Sequence, residues 1–252
     1  MVDLLEQTPL LNFGNPSIRA LVRERGWQDL PPRARIGAVY AFVRDEIRLG
    51  YNADDAIRAS KVLADGYGQC NTKGILLMAL LRAVHIPCRL HGFTVAKSLQ
   101  RGLVPEAVYG RAPENIVHSW VEVLLDGEWI ILEGVVVDKP VLEALQARFG
   151  TGPLCGYAVG VECLEAPPVA WDGRDTFVQS TGINHDFGVF DTPDDFFKEH
   201  AQALGGLRGF LYRHLIRHWM NARVRRIRRG AIPHIPAEIR GERPSFSYRK
   251  AI

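Results

Sequence analysis

From Cys70 to Val84 the chain carries Ile75, Leu76, Leu77, Met78, Leu80, Leu81 and Val84, apolar side chains on every side of a helix. A helix without a polar face must be surrounded by other elements, so this segment fixes the centre of the fold. The stretch before it, Asp65-Gly-Tyr-Gly-Gln69, is a turn whose glycines admit backbone angles closed to other residues. Cys70, Asn71 and Thr72 then open the helix, and short polar residues there satisfy the free amides of a first turn. A cysteine at that address lies in the partial positive charge of a helix start, which favours the nucleophilic thiolate. The plainer alternative is a small buried side chain, since free cysteines are among the most often buried residues.

The chain has 252 residues, enough for one large domain or a domain with an appendage. Hydrophobic residues at 47% and charged residues at 23% fit an ordinary soluble protein. The opening Met-Val-Asp-Leu-Leu-Glu-Gln lacks the basic start and apolar block of a secretory signal, and no run approaches membrane-spanning length. Cys70, Cys88, Cys155 and Cys163 are therefore expected to be reduced thiols in a cytoplasmic protein. There is no phosphate loop, dinucleotide fingerprint or internal repeat, and no cofactor is expected.

Ahead of the cysteine helix, Gly14-Asn15-Pro16-Ser17 starts a short helix over Ile18 to Glu24. Pro31 and Pro32 open a second over Ala34 to Arg48, and Ala53 to Ala64 suggests an acidic-started third. Beyond it, Pro87 stops helical structure and an alternating strand follows to Val95. Residues 96 to 114 are a long loop that leads to a histidine.

That histidine lies in Val117-His-Ser-Trp-Val-Glu-Val-Leu-Leu125, which Asp126-Gly127 joins to Glu128-Trp-Ile-Ile-Leu-Glu133-Gly-Val-Val-Val137. Two β-rich runs around Asp-Gly predict a hairpin with a two-residue loop. Leu125 then faces Glu128, His118 faces Val135 and Trp120 faces Glu133. Paired residues share a face, so His118 and Glu133 project from the same side as diagonal neighbours. Asp138 has the opposite parity. A carboxylate beside the imidazole fixes its tautomer and supports the imidazolium. Cys70, His118 and Glu133 thus supply a nucleophile, a base and an orienting acid. Taken singly, His118 reads as a strand histidine and Glu133 as a solvated charge.

These residues resemble the transglutaminase-like superfamily, a circularly permuted relative of papain-type cysteine proteases. The matching elements are Gly68-Gln69-Cys70, Ile86-Pro87-Cys88-Arg89, His118-Ser119-Trp120-Val121-Glu122 and Trp129-Ile-Ile-Leu-Glu133, spread over residues 36 to 137. Two positions depart from the pattern. Glu133 stands where the family usually has Asp, and His85 stands where a glycine often follows the helix. The resemblance implies an α+β transglutaminase-like, papain-like core, a buried Cys-bearing helix packed on an antiparallel sheet, to which the residues beyond it add a helical C-terminal extension. It also implies acyl transfer through a thioester on Cys70, with peptide, protein or small amide substrates and water or an amine as acceptor. The Cys70 amide would donate to the oxyanion, Gln69 or Trp120 would supply a second donor, and Tyr67 would lie beside the substrate. The opposing class is a non-catalytic binding module on the same fold.

The catalytic unit is expected over residues 1–190 and the extension over 191–252. Pro140 to Phe149 reads as a short helix, and residues 150 to 190 as an irregular segment covering the site. Cys155, Cys163, His185 and Asp186 lack the close pairing of a zinc knuckle, so no metal site is expected. Thr192-Pro-Asp-Asp195 is a helix start. From Leu207 to Arg229 the chain is strongly basic, without an acid between Glu199 and Glu238, and keeps helical apolar spacing. Such a helix suits an anionic partner, membrane or nucleic acid. The preferred reading is a helix docked on its own domain, with a solvated arginine face and arginines paired to the chain's own acids. Residues 232 to 252 read as an extended tail.

Overall fold

A computed structural model describes residues 4–200 and 206–234. Helices α1 (Pro16–Arg25) and α2 (Pro32–Ala41) come first, each opened by a proline whose fixed φ suits a first turn. A π-turn over Phe42–Glu46 ends α2 early, so that Arg48 belongs to the short strand β1 (Arg48–Leu49) and not to the helix. Next, α3 (Ala59–Asp65) begins six residues later than the acidic pattern suggested, and residues 53–58 form a loop. The short strand β2 (Tyr67–Gly68) runs parallel to β1 and delivers the chain to α4 (Cys70–Ala83).

Every α4 residue from Asn71 to Arg82 is buried. Ile18, Val22, Ile36, Val39, Tyr40 and Val62 of the three earlier helices surround its leucines, and Leu90, Val121 and Val123 of the main sheet close the other side. Two cations are buried with it. Arg82 donates to the carbonyls of Glu6, Cys88 and Asp191. Lys73 donates to those of Arg44 (3.1 Å) and Val136 (3.4 Å), and burial pushes its ammonium down to about 7. An unpartnered charge at such positions would cost several kcal/mol, roughly, which explains why each head group ends among carbonyls.

The main sheet has the order β5-β4-β3-β8, from β3 (Cys88–Ala96), β4 (Asn115–Leu125), β5 (Glu128–Ile131) and β8 (Ile183–Phe190), all antiparallel. A short helix, α5 (Glu106–Tyr109), lies in the loop between β3 and β4. The hairpin register is the expected one: Leu125 pairs with Glu128 and Glu122 with Ile131. Asp126 and Gly127 both have positive φ, 53° and 87°, the backbone that a two-residue turn between twisted strands requires. The pairing stops at Ile131, however. The Leu132 amide still donates to Val121, and the chain then turns into a 3₁₀ helix over Glu133–Val135. The expected pairs His118 with Val135 and Trp120 with Glu133 therefore do not form.

After α6 (Lys139–Phe149), a small hairpin of β6 (Leu154–Gly156) and β7 (Val159–Val161) precedes β8. The segment expected to be irregular thus adds an edge strand to the main sheet. Asn184, Asp186 and Gly188 have little strand preference; pairing along β3, with two register shifts, imposes the conformation. Thr192 caps α7 (Pro193–Glu199) by accepting from the Asp195 amide.

The basic extension is helical over α8 (Gly206–Leu211), a π-turn (Tyr212–Ile216) and α9 (Arg217–Ile227). Met220, Val224 and Ile227 pack into a second core with Leu49, Val137 and Leu145. Asn221 exchanges two hydrogen bonds with the Tyr51 backbone, and Arg228 pairs with buried Asp138 at 2.6 Å. Burial alone would push the Asp138 carboxyl up, but hydrogen bonds and charge from Arg228 bring it below the usual carboxylate range. The inner face of the helix is thus docked on its own domain. The tail from residue 235 lies outside the described residues. No described helix is long and apolar enough to cross a membrane.

Candidate active site

The turn before Cys70 is held by hydrogen bonds that need its glycine. A Cβ on Gly68 would come within 2.6 Å of the Thr72 hydroxyl, the group that accepts from the Gln69 amide at 3.1 Å to cap α4. Gln69 is committed on both sides: Oε1 accepts from the Asn52 amide and Nε2 donates to Asp55, each at 2.8 Å. Asn52, 1% exposed, also accepts from Thr72 through its side chain and from the Tyr212 hydroxyl through its carbonyl. Cys70 emerges half-buried, packed against the second core, as does Tyr212 of the basic extension.

Asn71 ties this turn to the strand that bears His118. Its Nδ2 donates to the Val117 carbonyl at 3.1 Å, and its Oδ1 accepts from the Ser119 hydroxyl at 3.0 Å. The residue after Cys70 is thereby fixed to both neighbours of His118. Alternation along β4 sends Ser119 and Val121 toward α4, and His118 and Trp120 to the other face. There the His118 ring lies edge-on to Phe93, with centroids 4.7 Å apart.

Glu133 reaches the same spot from the 3₁₀ turn, off the path of its strand. One oxygen, Oε2, accepts from the Val178 and Gln179 amides. Its Oε1 lies 3.6 Å from His118 Nε2, with the two side chains 2% and 1% exposed. That separation exceeds a hydrogen bond, and these two atoms are among the few buried polar atoms without a hydrogen-bond partner among the described residues. The carboxylate thus lies on the Nε2 side of the ring and not on the Nδ1 side.

The electrostatics correct one expectation. Burial, the Asp55 carboxylate and Glu133 push the Cys70 thiol well up, outweighing hydrogen bonds from the Asn71 and Cys70 amides that favour thiolate. These pushes oppose the helix start, which was expected to favour thiolate. Asp55 itself is pushed up by burial against hydrogen bonds from Gln69 and Asn71, and it feels the charge of His118. Cys70, His118, Glu133 and Asp55 therefore share one electrostatic neighbourhood.

Two expected oxyanion donors are engaged elsewhere. The Trp120 indole N–H donates to Glu122 at 3.2 Å, and the Gln69 amide to Asp55. Tyr67 is half-buried on β2, its ring against Gly50 and its carbonyl accepting from Asn52. Asp138 is occupied by Arg228. Asn52, Asp55 and the Val178–Gln179 amides were not anticipated. They lie in loops, where polar residues follow no period, and only the Asp-Asp pair at 54–55 marked the region.

A second polar cluster occupies the same sheet face. His91 Nδ1 lies 3.0 Å from Glu122 and Nε2 2.8 Å from Asp186, while Arg89 pairs with Glu122 at 2.7 Å and stacks over Trp129. Burial would lower His91, yet hydrogen bonds and charge from both carboxylates hold it above its ordinary value. Despite burial, His91, Trp120 and Arg89 bring Glu122 down to about 2.

A buried helix opening on a half-buried cysteine, laid across an antiparallel sheet that carries the histidine, is the arrangement that the resemblance to the transglutaminase-like superfamily implied. Residues 19–134 match the family model of the transglutaminase-like superfamily, reaching further toward the N-terminus than the motifs did and taking in α1. The match supports a cysteine-dependent enzyme. No curated protein matches the chain in sequence. A solved structure from Cytophaga hutchinsonii, provisionally named a cysteine protease, is 17% identical with a TM-score of 0.41. The alignment covers 53% of this chain and 42% of that one, so this chain spans under half of that protein's length.

Proposed function

We propose that Cys70, His118 and Glu133 form a triad that cleaves or transfers an amide acyl group through a thioester. The observation that carries it is the buried pair of His118 and Glu133, 3.6 Å apart, with the His118 strand clamped by Asn71, the residue after Cys70. In the first step the Cys70 sulfur bonds to the carbonyl carbon while His118 Nδ1 takes the thiol proton. The carbonyl electrons move to oxygen, where the Cys70 backbone N–H at the start of α4 donates. As the tetrahedral species collapses, the C–N bond breaks and the leaving amine takes the proton from His118. Water or a second amine then attacks the thioester and gives up its proton to His118; as the C–S bond breaks, that proton passes to the leaving sulfur and restores the thiol.

Glu133 holds Nε2 and stabilises the imidazolium while the Val178 and Gln179 amides fix the carboxylate. A thiol pushed up at rest suits this sequence, because the proton leaves as the S–C bond forms and not before.

Acid quenching after mixing with activated esters and peptide amides tests the proposal by mass spectrometry. An acyl adduct on the Cys70 peptide, absent in Cys70→Ala, is expected, and added primary amines report whether water or amine is the acceptor. No adduct with any acyl donor, despite a folded protein, would favour the binding-module reading.

A further inference from the structure

The inner face of the basic extension is docked, but its outer face is not. Leu207, Phe210, Leu215 and Trp219 are 73%, 57%, 61% and 51% exposed. Only Val189, on β8, joins them as an exposed large hydrophobic among the described residues, so the exposed apolar surface is concentrated on one helix. Spacings of three, five and four residues separate the four. In a regular α-helix a step of five would carry Leu215 round the side. The π-turn at Tyr212–Ile216, where the Arg217 amide donates to the Tyr212 carbonyl five residues back, makes a wider turn and brings it back into line with Phe210. The four side chains thus form one outward stripe.

Around the stripe lie Arg208, Arg225, Arg226 and Arg229, all exposed and without an ion pair among the described residues. Residues 206–234 contain no Asp or Glu. Beside Trp219, Arg148, Arg223 and Arg226 edge an open depression of about 610 Å³.

We propose that this outer face docks on an anionic phospholipid bilayer. Charge complementarity fixes the sign of the partner. The aliphatic pair Leu207 and Leu215 argues for lipid over nucleic acid, because exposed leucines gain little on a phosphate backbone but much at an acyl boundary. Trp219, with an apolar ring and a polar N–H, suits the headgroup level. The helix lies in the interface plane and does not cross it. The stripe residues are not those of the proposed triad, and the proposal does not rest on it.

The test is co-sedimentation of the full chain with vesicles of phosphatidylglycerol and phosphatidylcholine, against vesicles of phosphatidylcholine alone. Binding to the anionic vesicles, falling as salt rises, is expected, with a blue shift of fluorescence that Trp219→Phe removes. Each arginine near the surface contributes roughly fivefold in affinity, so Arg225→Gln with Arg226→Gln should weaken binding by about 20-fold or more. Leu215→Ser with Trp219→Ser should also abolish it, with thermal stability and Cys70 alkylation unchanged because both side chains face outward.

Several results would overturn the proposal. They are equal binding to both vesicle types, no binding at low salt, tighter binding to a single-stranded oligonucleotide, or self-association that the Leu215→Ser, Trp219→Ser variant removes.

Discussion

His91 and His118 lie on neighbouring strands, on the same face of one sheet, each beside a glutamate, yet they are built for opposite purposes. Both ring nitrogens of His91 are within hydrogen-bond distance of carboxylates, and its partner Glu122 is further held by Arg89 and Trp120. Both ring nitrogens and both Glu122 oxygens have mates, so a change of protonation breaks at least one of these bonds. His118 has one carboxylate neighbour at 3.6 Å, and that neighbour is held mainly by two backbone amides. The first is a closed network that fixes β3 to β4 and β8. The second keeps an imidazole oriented but uncommitted, which is what proton transfer requires. A histidine next to a carboxylate is therefore no mark of catalysis by itself; what separates the two pairs is the hydrogen-bonding capacity that His118 and Glu133 leave unfilled.

The largest effect should come from the open site. His118→Ala should lower acyl transfer by about 10³-fold or more, as should Cys70→Ala, with little change in fold. Turnover of an activated ester compared with wild type checks this. Glu133→Gln should cost less, on the order of 10²-fold, because the base survives while its orientation and the imidazolium lose a charge. It should also lower stability by about 1–3 kcal/mol, since the Val178 and Gln179 amides lose a charged acceptor, and a urea titration would measure it.

The closed site should behave in reverse. His91→Leu should destabilise by about 1–3 kcal/mol while leaving acyl transfer within a few fold. Its pH dependence follows from the raised value of His91. Protonation favours the folded state, so the stabilisation is full below the ordinary histidine value of 6.5 and is lost as pH climbs through the raised one. Melting temperatures across that range should converge between wild type and His91→Leu toward high pH. Divergence there would contradict the closed-network account.

Much of this arrangement was legible in the chain. The all-apolar run after Cys70 fixed the central helix, because no other placement buries Leu76, Leu77, Leu80 and Leu81 together. The Asp126-Gly127 turn fixed the register of β4 and β5, and with it the side of the sheet that His118 faces. The route by which Glu133 arrives was not legible: Leu132 leaves the strand for reasons that lie in Thr176, whose carbonyl accepts from the Glu133 amide 43 positions earlier. Likewise, β8 has weak strand residues and exists through pairing with β3. The choice between a docked and a free basic helix rested on Asp138–Arg228, a pair 90 residues apart. The closed cluster was not foreseen either, since His91 and Asp186 carry no common pattern.

The most direct measurement is the rate of Cys70 alkylation by iodoacetamide at neutral pH, read on the Cys70 peptide in wild type, His118→Gln and His91→Leu. The account predicts a fall of about tenfold or more in His118→Gln and no change in His91→Leu, because only His118 takes the thiol proton. Equal rates in wild type and His118→Gln would contradict it, leaving Cys70 an ordinary thiol at the end of a buried helix.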